Sequence, residues 1–188
     1  MESSNKVCSW QEILDFWYSD SAKKHWWSKS DDFDEEIRRK FYPTFVAATK
    51  GELFPWREHP HGRVAEIIVL DQFSRNLHRG KREAFENDLA AIILTQEAVR
   101  LNIHKELQGT PYLGHLLMPL MHSESVPVHE EAMKLFAPIP EGEGMLKYEK
   151  LHYDIIKQFG RYPHRNKVLG RENTKEEVEY LEKNPKGF

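Results

Sequence analysis

Two strings combine carboxylate, amide and guanidinium groups at the ends of apolar runs. They are Leu70-Asp71-Gln72-Phe73-Ser74-Arg75-Asn76 and Lys157-Gln158-Phe159-Gly160-Arg161-Tyr162-Pro163-His164-Arg165-Asn166. Charged groups at the end of a buried helix are costly unless they meet one another or a ligand. Asp71 and Arg75 are four apart and share a helix face. They can form a structural ion pair, or Asp71 can hold Arg75 in place for an anion. In and just after the second string Arg161, His164, Arg165, Lys167 and Arg171 gather positive charge within eleven positions, with no acid among them before Glu172. A solvated surface run is one reading. The embedded Gly160, Tyr162 and Pro163 point instead to a rigid turn, on which arginine's planar fork would suit a carboxylate or phosphate.

Three further groups join these candidates. His122, beside Ser123 and Glu124, could be a base with its orienting acid or a helix-end cap. Adjacent residues on a helix do not face one another, so the trio is not a triad by itself. His152 sits in an apolar stripe, where a hydrogen-bonded core histidine and a ligand group are both open readings. The candidate ligand-binding set is therefore Asp71, Arg75, His122, Glu124, His152, Arg161, His164 and Arg165, with no catalytic residue identified. Because each string ends an apolar helix, the two are expected to converge, leaving surplus guanidinium groups for an anion. His122, Glu124, His129, His152 or His164 could assemble around a metal. However, no two histidines show the four-apart spacing with an intervening acid that marks zinc hydrolases. No metal and no cofactor are expected, since the chain also lacks a glycine-rich phosphate loop and a nucleophile motif.

The elements that must position these groups read as helices from end to end, with no convincing strand alternation. Ser9 with Glu12, and Thr174 with Glu177, form capping boxes. Asp31 or Asp32 is expected to cap a helix ending at Gly51, with Pro43 kinking or interrupting it. Arg63 to Arg75 is apolar all round and should be central. Ala84 to Leu101, a segment from Pro111 to Met121, a helix after Ser125 and one from about Met145 to Phe159 follow. In the last of these Met145, Tyr148, Leu151, His152, Ile155, Ile156 and Phe159 form the apolar stripe. The expectation is an all-α fold of seven or eight helices, as an irregular bundle or stacked antiparallel pairs. It forms one domain over residues 9–183, with 1–8 and 184–188 as flexible tails.

At 188 residues one domain can bury about 70% of the surface its unfolded chain exposes. A single cysteine, Cys8, permits no internal disulfide and suits a reducing, cytoplasmic setting. No apolar run reaches the roughly 18 residues of a membrane span. A net charge of −3 with interspersed signs argues against general nucleic-acid binding.

The strings Leu70 to Asn76, Pro119-Leu120-Met121-His122-Ser123-Glu124 and Phe159 to Asn166 together resemble the signature of a largely bacterial family, domain of unknown function 924. Gly51-Glu52-Leu53, Leu169-Gly170-Arg171 and the aromatic stretch Lys24-His25-Trp26-Trp27 extend the resemblance over nearly the whole chain. It implies a compact helical fold similar to the tetratricopeptide superhelix, and no activity. Two functions fit. One is a tetratricopeptide-like binding module that takes an acidic peptide or protein partner in an arginine-lined groove. The other is an enzyme or sensor that holds a small anionic ligand, carboxylate or phosphorylated, in an Arg/His pocket. Oligomeric state is not legible in the sequence.

Overall fold

The computed structural model describes residues 6–139 and 145–184. Pro140, Gly142 and Gly144 of the expected chain break, and the tail Pro185 to Phe188, lie outside them. The described residues are helical, with no strand. In order they form α1 (Trp10–Trp17), α2 (Asp20–Lys23), α3 (Asp31–Thr49), α4 (Pro60–Ile68), α5 (Ser74–Leu77), α6 (Asp88–Arg100), α7 (Ile103–Glu106), α8 (Tyr112–Met121), α9 (Val126–Phe136), α10 (Met145–Phe159), α11 (Asn166–Leu169) and α12 (Lys175–Lys183). A π-helical turn, Val69–Phe73, joins α4 and α5 into one run, so eleven separate helices replace the expected seven or eight. The additions are α2, α7 and α11, of four residues each, too short to display a helical period.

Within this helical domain the elements gather into two compact units: Met1–Arg79 with Glu83–Pro119, and Gly80–Arg82 with Leu120–Phe188. The first is built around aromatic residues. Trp17 and Phe73, both essentially inaccessible to solvent, have ring centroids 5.7 Å apart, and Phe41 stacks on Phe73 at 5.5 Å. The helix with Pro43 runs unbroken over 19 residues, so that proline does not interrupt it. Its N-cap is Ser30, whose side chain accepts from the Phe33 amide, rather than Asp31 or Asp32. The central apolar helix starts earlier than expected, at Pro60, and Gly62 lies within it. A Cβ at Gly62 would collide with the backbone carbonyl of Trp56, so glycine lets the preceding turn close on the helix.

Val64, Ile67, Ile68 and Val69 are all buried, as the all-round apolar pattern requires. Replacing Ile68 with Ala is expected to cost about 2–5 kcal/mol in denaturant unfolding. A loss under about 0.5 kcal/mol, the range of surface changes, would place that side chain outside the core.

In the second unit α9 packs against α10. Val126 at the start of α9 meets Ile155 and Ile156 late in α10, while His129 reaches back to Glu149. The two helices are therefore antiparallel. The buried line of α10 is Met145, Glu149, Ile155 and Ile156, with His152 half-buried. Tyr148 and Leu151, placed in the stripe from sequence, are 52% and 45% exposed. Glu149 takes the inward position because α9 offers it an imidazole.

Candidate functional site

In the first unit the expected Asp71–Arg75 pair forms. Asp71 is 1% exposed, and its Oδ1 lies 3.7 Å from Arg75 Nη2. Arg75 Nη1 is held more closely by Asp88, at 2.7 Å, and donates to the Ala84 carbonyl. Its guanidinium lies 4.7 Å over the Phe85 ring. Burial opposes the charge on Arg75, but Asp71 and Asp88 outweigh it and hold its pKa above the ordinary value. An arginine set between two carboxylates and a carbonyl is built as a structural link.

The second unit gathers its polar groups around Tyr162, which is 0% exposed. The Tyr162 hydroxyl donates to the Met121 carbonyl at 2.6 Å. His152 and His129 meet its ring edge-on, at 5.8 and 6.4 Å between centroids, and His164 tilts against it at 5.5 Å. The Arg165 guanidinium lies 4.4 Å over the ring, and Arg165 is only 7% exposed. Pro163 fixes the 3₁₀ turn Pro163–Arg165 that carries these last two basic groups. His122 acts electrostatically on both Glu149 and His152. Thus His152, His164 and Arg165 converge on one aromatic ring, grading from buried Arg165 to exposed His164, with His122 near enough to act on His152.

Beneath them lies a pair that sequence reasoning missed in this role. His129 and Glu149 are both 0% exposed, with His129 Nδ1 2.6 Å from Glu149 Oε1. His129 Nε2 donates to the Ser123 carbonyl at 2.8 Å, with the Tyr162 hydroxyl oxygen also at 3.2 Å. Nε2 therefore carries a proton, and the short Nδ1 contact shares a second one with the carboxyl. Burial pushes the Glu149 pKa up, against the pull of His129. Wherever the shared proton sits, the pair has no net charge.

Two candidates are occupied by partners within this unit. Arg161 donates through Nε and Nη2 to Glu177, at 2.7 and 2.8 Å, and also to the Glu172 carbonyl. Arg161 holds the Glu177 carboxyl down at about 2, aided by the Thr174 amide and Asn166. Glu124 accepts two bonds from Arg171, at 2.6 and 2.9 Å, and one from the Tyr162 amide. These bonds outweigh burial and lower its pKa. Glu124 thus fastens the Tyr162 turn. Each of the two sequence strings finds counter-charges within its own unit, so charge balance does not require them to meet. Among the described residues no group of three or more His, Cys, Asp or Glu is placed to hold a metal ion.

Residues 13–185 match the family described as bacterial protein of unknown function (DUF924). The chain belongs to this family. A solved structure of a protein of unknown function from Agrobacterium tumefaciens is similar to this DUF924 protein at 32% identity, covering 93% of this chain and 97% of that one with a TM-score of 0.86. No curated protein matches. No helix among the described residues of this DUF924 chain is long and apolar enough to cross a membrane.

Proposed function

We propose that this protein binds a small anionic ligand, a carboxylate or a phosphorylated molecule, at the basic cluster around Tyr162. The observation that supports this reading is the convergence of His152, His164 and Arg165 on one buried ring, with His122 near enough to act on His152, above a His129–Glu149 pair that adds no net charge. Tyr162 holds the Arg165 guanidinium flat, which limits the freedom lost when it engages an anion through its edge. The cluster grades outward to His164, which gives an anion a solvent-facing approach.

The other reading, an acidic peptide in the arginine-lined groove of a tetratricopeptide-like superhelix, draws on the antiparallel α9–α10 hairpin as a repeat unit. It is the weaker one. Arg57, Arg75, Arg79, Arg161 and Arg171 already direct their N–H groups at Glu66, Asp88, Asp34, Glu177 and Glu124. Arginines so engaged offer a peptide little that their own carboxylates do not supply.

Titration with inorganic phosphate and sulfate, followed by calorimetry, tests the proposal. Arg165→Lys keeps the charge but loses the flat stack and the two-pronged edge. It is expected to weaken anion binding about tenfold or more while the thermal midpoint moves little. Unchanged affinity in Arg165→Lys, or no saturable binding by the native protein, would overturn this assignment.

A further inference from the structure

Within the first unit, α1 and α8 are joined by a run of hydrogen bonds through one histidine. Trp17 Nε1 lies 2.9 Å from His115 Nε2. On the other side of the ring His115 Nδ1 lies 2.8 Å from the Tyr18 hydroxyl, which donates to the Pro111 carbonyl at 3.3 Å. An indole N–H can only donate, so His115 Nε2 is an unprotonated acceptor. The Tyr18 proton is directed at Pro111, so Nδ1 carries the ring's proton and donates to the Tyr18 oxygen. These directions hold together only for a neutral imidazole.

The site is closed around the ring. His115 is 6% and Trp17 1% exposed. Trp17, Tyr18 and Trp26 meet the imidazole edge-on, with centroids 5.9, 5.3 and 4.7 Å away. Trp26, from the aromatic stretch that the anion site leaves unused, also donates its Nε1–H to the Trp17 carbonyl at 3.1 Å. Titratable groups face this assembly from each element around it. Tyr18 ends α1, where burial pushes its hydroxyl up and keeps it neutral. Tyr112, one turn back on α8, meets Tyr18 edge-on, and His61 of α4 meets Tyr112. Asp71, in the π-helical turn, favours a charge on His115 while it pairs with Arg75. Burial outweighs Asp71 and the Pro111 carbonyl and holds His115 down at about 4.

We infer that His115 is an acid-sensitive latch, which fastens the end of α1 to α8 while neutral and releases it when Nε2 gains a proton. A proton there sets N–H against N–H across 2.9 Å, and the buried Trp17 indole loses its acceptor. The Nδ1 side cannot compensate, because it points away from Trp17 toward Tyr18. The strain is relieved when the end of α1 moves off and the imidazolium reaches water. Linkage fixes the sign. Released His115 titrates at its ordinary value, about 6.5, and latched His115 lower, so release takes up a proton between the two values. The latch is fully held above about pH 6.5 and weakens as pH falls toward about 4.

Hydrogen exchange of the Trp17 indole proton and the α1 amides, with the His115 nitrogens followed by NMR in the same unaltered protein, tests the latch. At neutral pH, Nε2 should be unprotonated and Nδ1 protonated. Between about pH 6.5 and 4 the opening equilibrium at Trp17 and α1, corrected for the intrinsic effect of pH on exchange, should rise by up to about tenfold for each unit of pH lowered. His115→Gln gives the Trp17 indole an amide oxygen that does not titrate, and should flatten this dependence. A His115 protonated at Nε2 at neutral pH would overturn the inference. So would a His115 that titrates near 6.5 with the exchange of Trp17 and α1 unmoved, or an undiminished pH dependence in His115→Gln. Where that variant does not fold, the titration of the unaltered protein decides.

Discussion

His129→Ala is expected to destabilise the protein by about 3–5 kcal/mol, because it removes one member of a pair from which water is excluded. Glu149 would keep its carboxyl in a fully buried position, with Oε1 deprived of its 2.6 Å partner and Oε2 already lacking a hydrogen bond. The Ser123 carbonyl would lose its donor at the same time. Glu149→Gln is the informative companion. Its amide can donate to Nδ1 of a neutral imidazole, so the loss should be nearer 1 kcal/mol. Denaturant unfolding of the two variants checks this order. A His129→Ala loss below about 1 kcal/mol would mean that the pair contributes little as a unit.

Arg75→Ala is expected to cost about 3–5 kcal/mol, and more than Asp71→Ala. The reason is the asymmetry of the link. Arg75 stands between Asp71 and Asp88 while also donating to the Ala84 carbonyl and covering Phe85. Without it, two carboxylates, one only 1% exposed, lose the cation between them. Without Asp71, Arg75 keeps Asp88, and the loss should be about 2 kcal/mol, typical of one hydrogen-bonded charge. Equal losses in the two variants, measured by the same unfolding curves, would contradict this division of labour.

The parts of the fold legible in the sequence were those written in local patterns. Both capping boxes, Ser9 with Glu12 and Thr174 with Glu177, form as read, because a cap is settled within four residues. The all-round apolar character of Val64 to Leu70 marked a helix that is buried on every side. The second polar string was legible as a turn bearing basic groups, since Pro163 and its neighbours restrict the backbone wherever they stand. What escaped was decided by partners far along the chain. Glu149 reads as a surface acid until His129, twenty positions earlier, is seen to face it. Tyr162 reads only as part of a rigid turn, yet His152, His164 and Arg165 are arranged around its ring. Arg161 and Arg171 take bidentate positions on Glu177 and Glu124 while Arg165 lies over the Tyr162 ring, roles that their shared basic string could not express.

The turn of π-helix at Val69–Phe73 has a consequence for how this segment tolerates change in length. Such a turn holds one residue more than the regular spiral around it. Deleting a residue there would restore an ordinary helix and keep the phase beyond it, whereas winding the same residues as an ordinary helix would rotate everything beyond by about 100°, the angular step of one residue. Arg75 would swing away from Asp88, and Asn76 from the Asp34 carboxylate to which it donates at 2.7 Å. The widened turn thus acts as a phase setting. It keeps the end of the central helix in angular register with side chains contributed by α3 and by the start of α6.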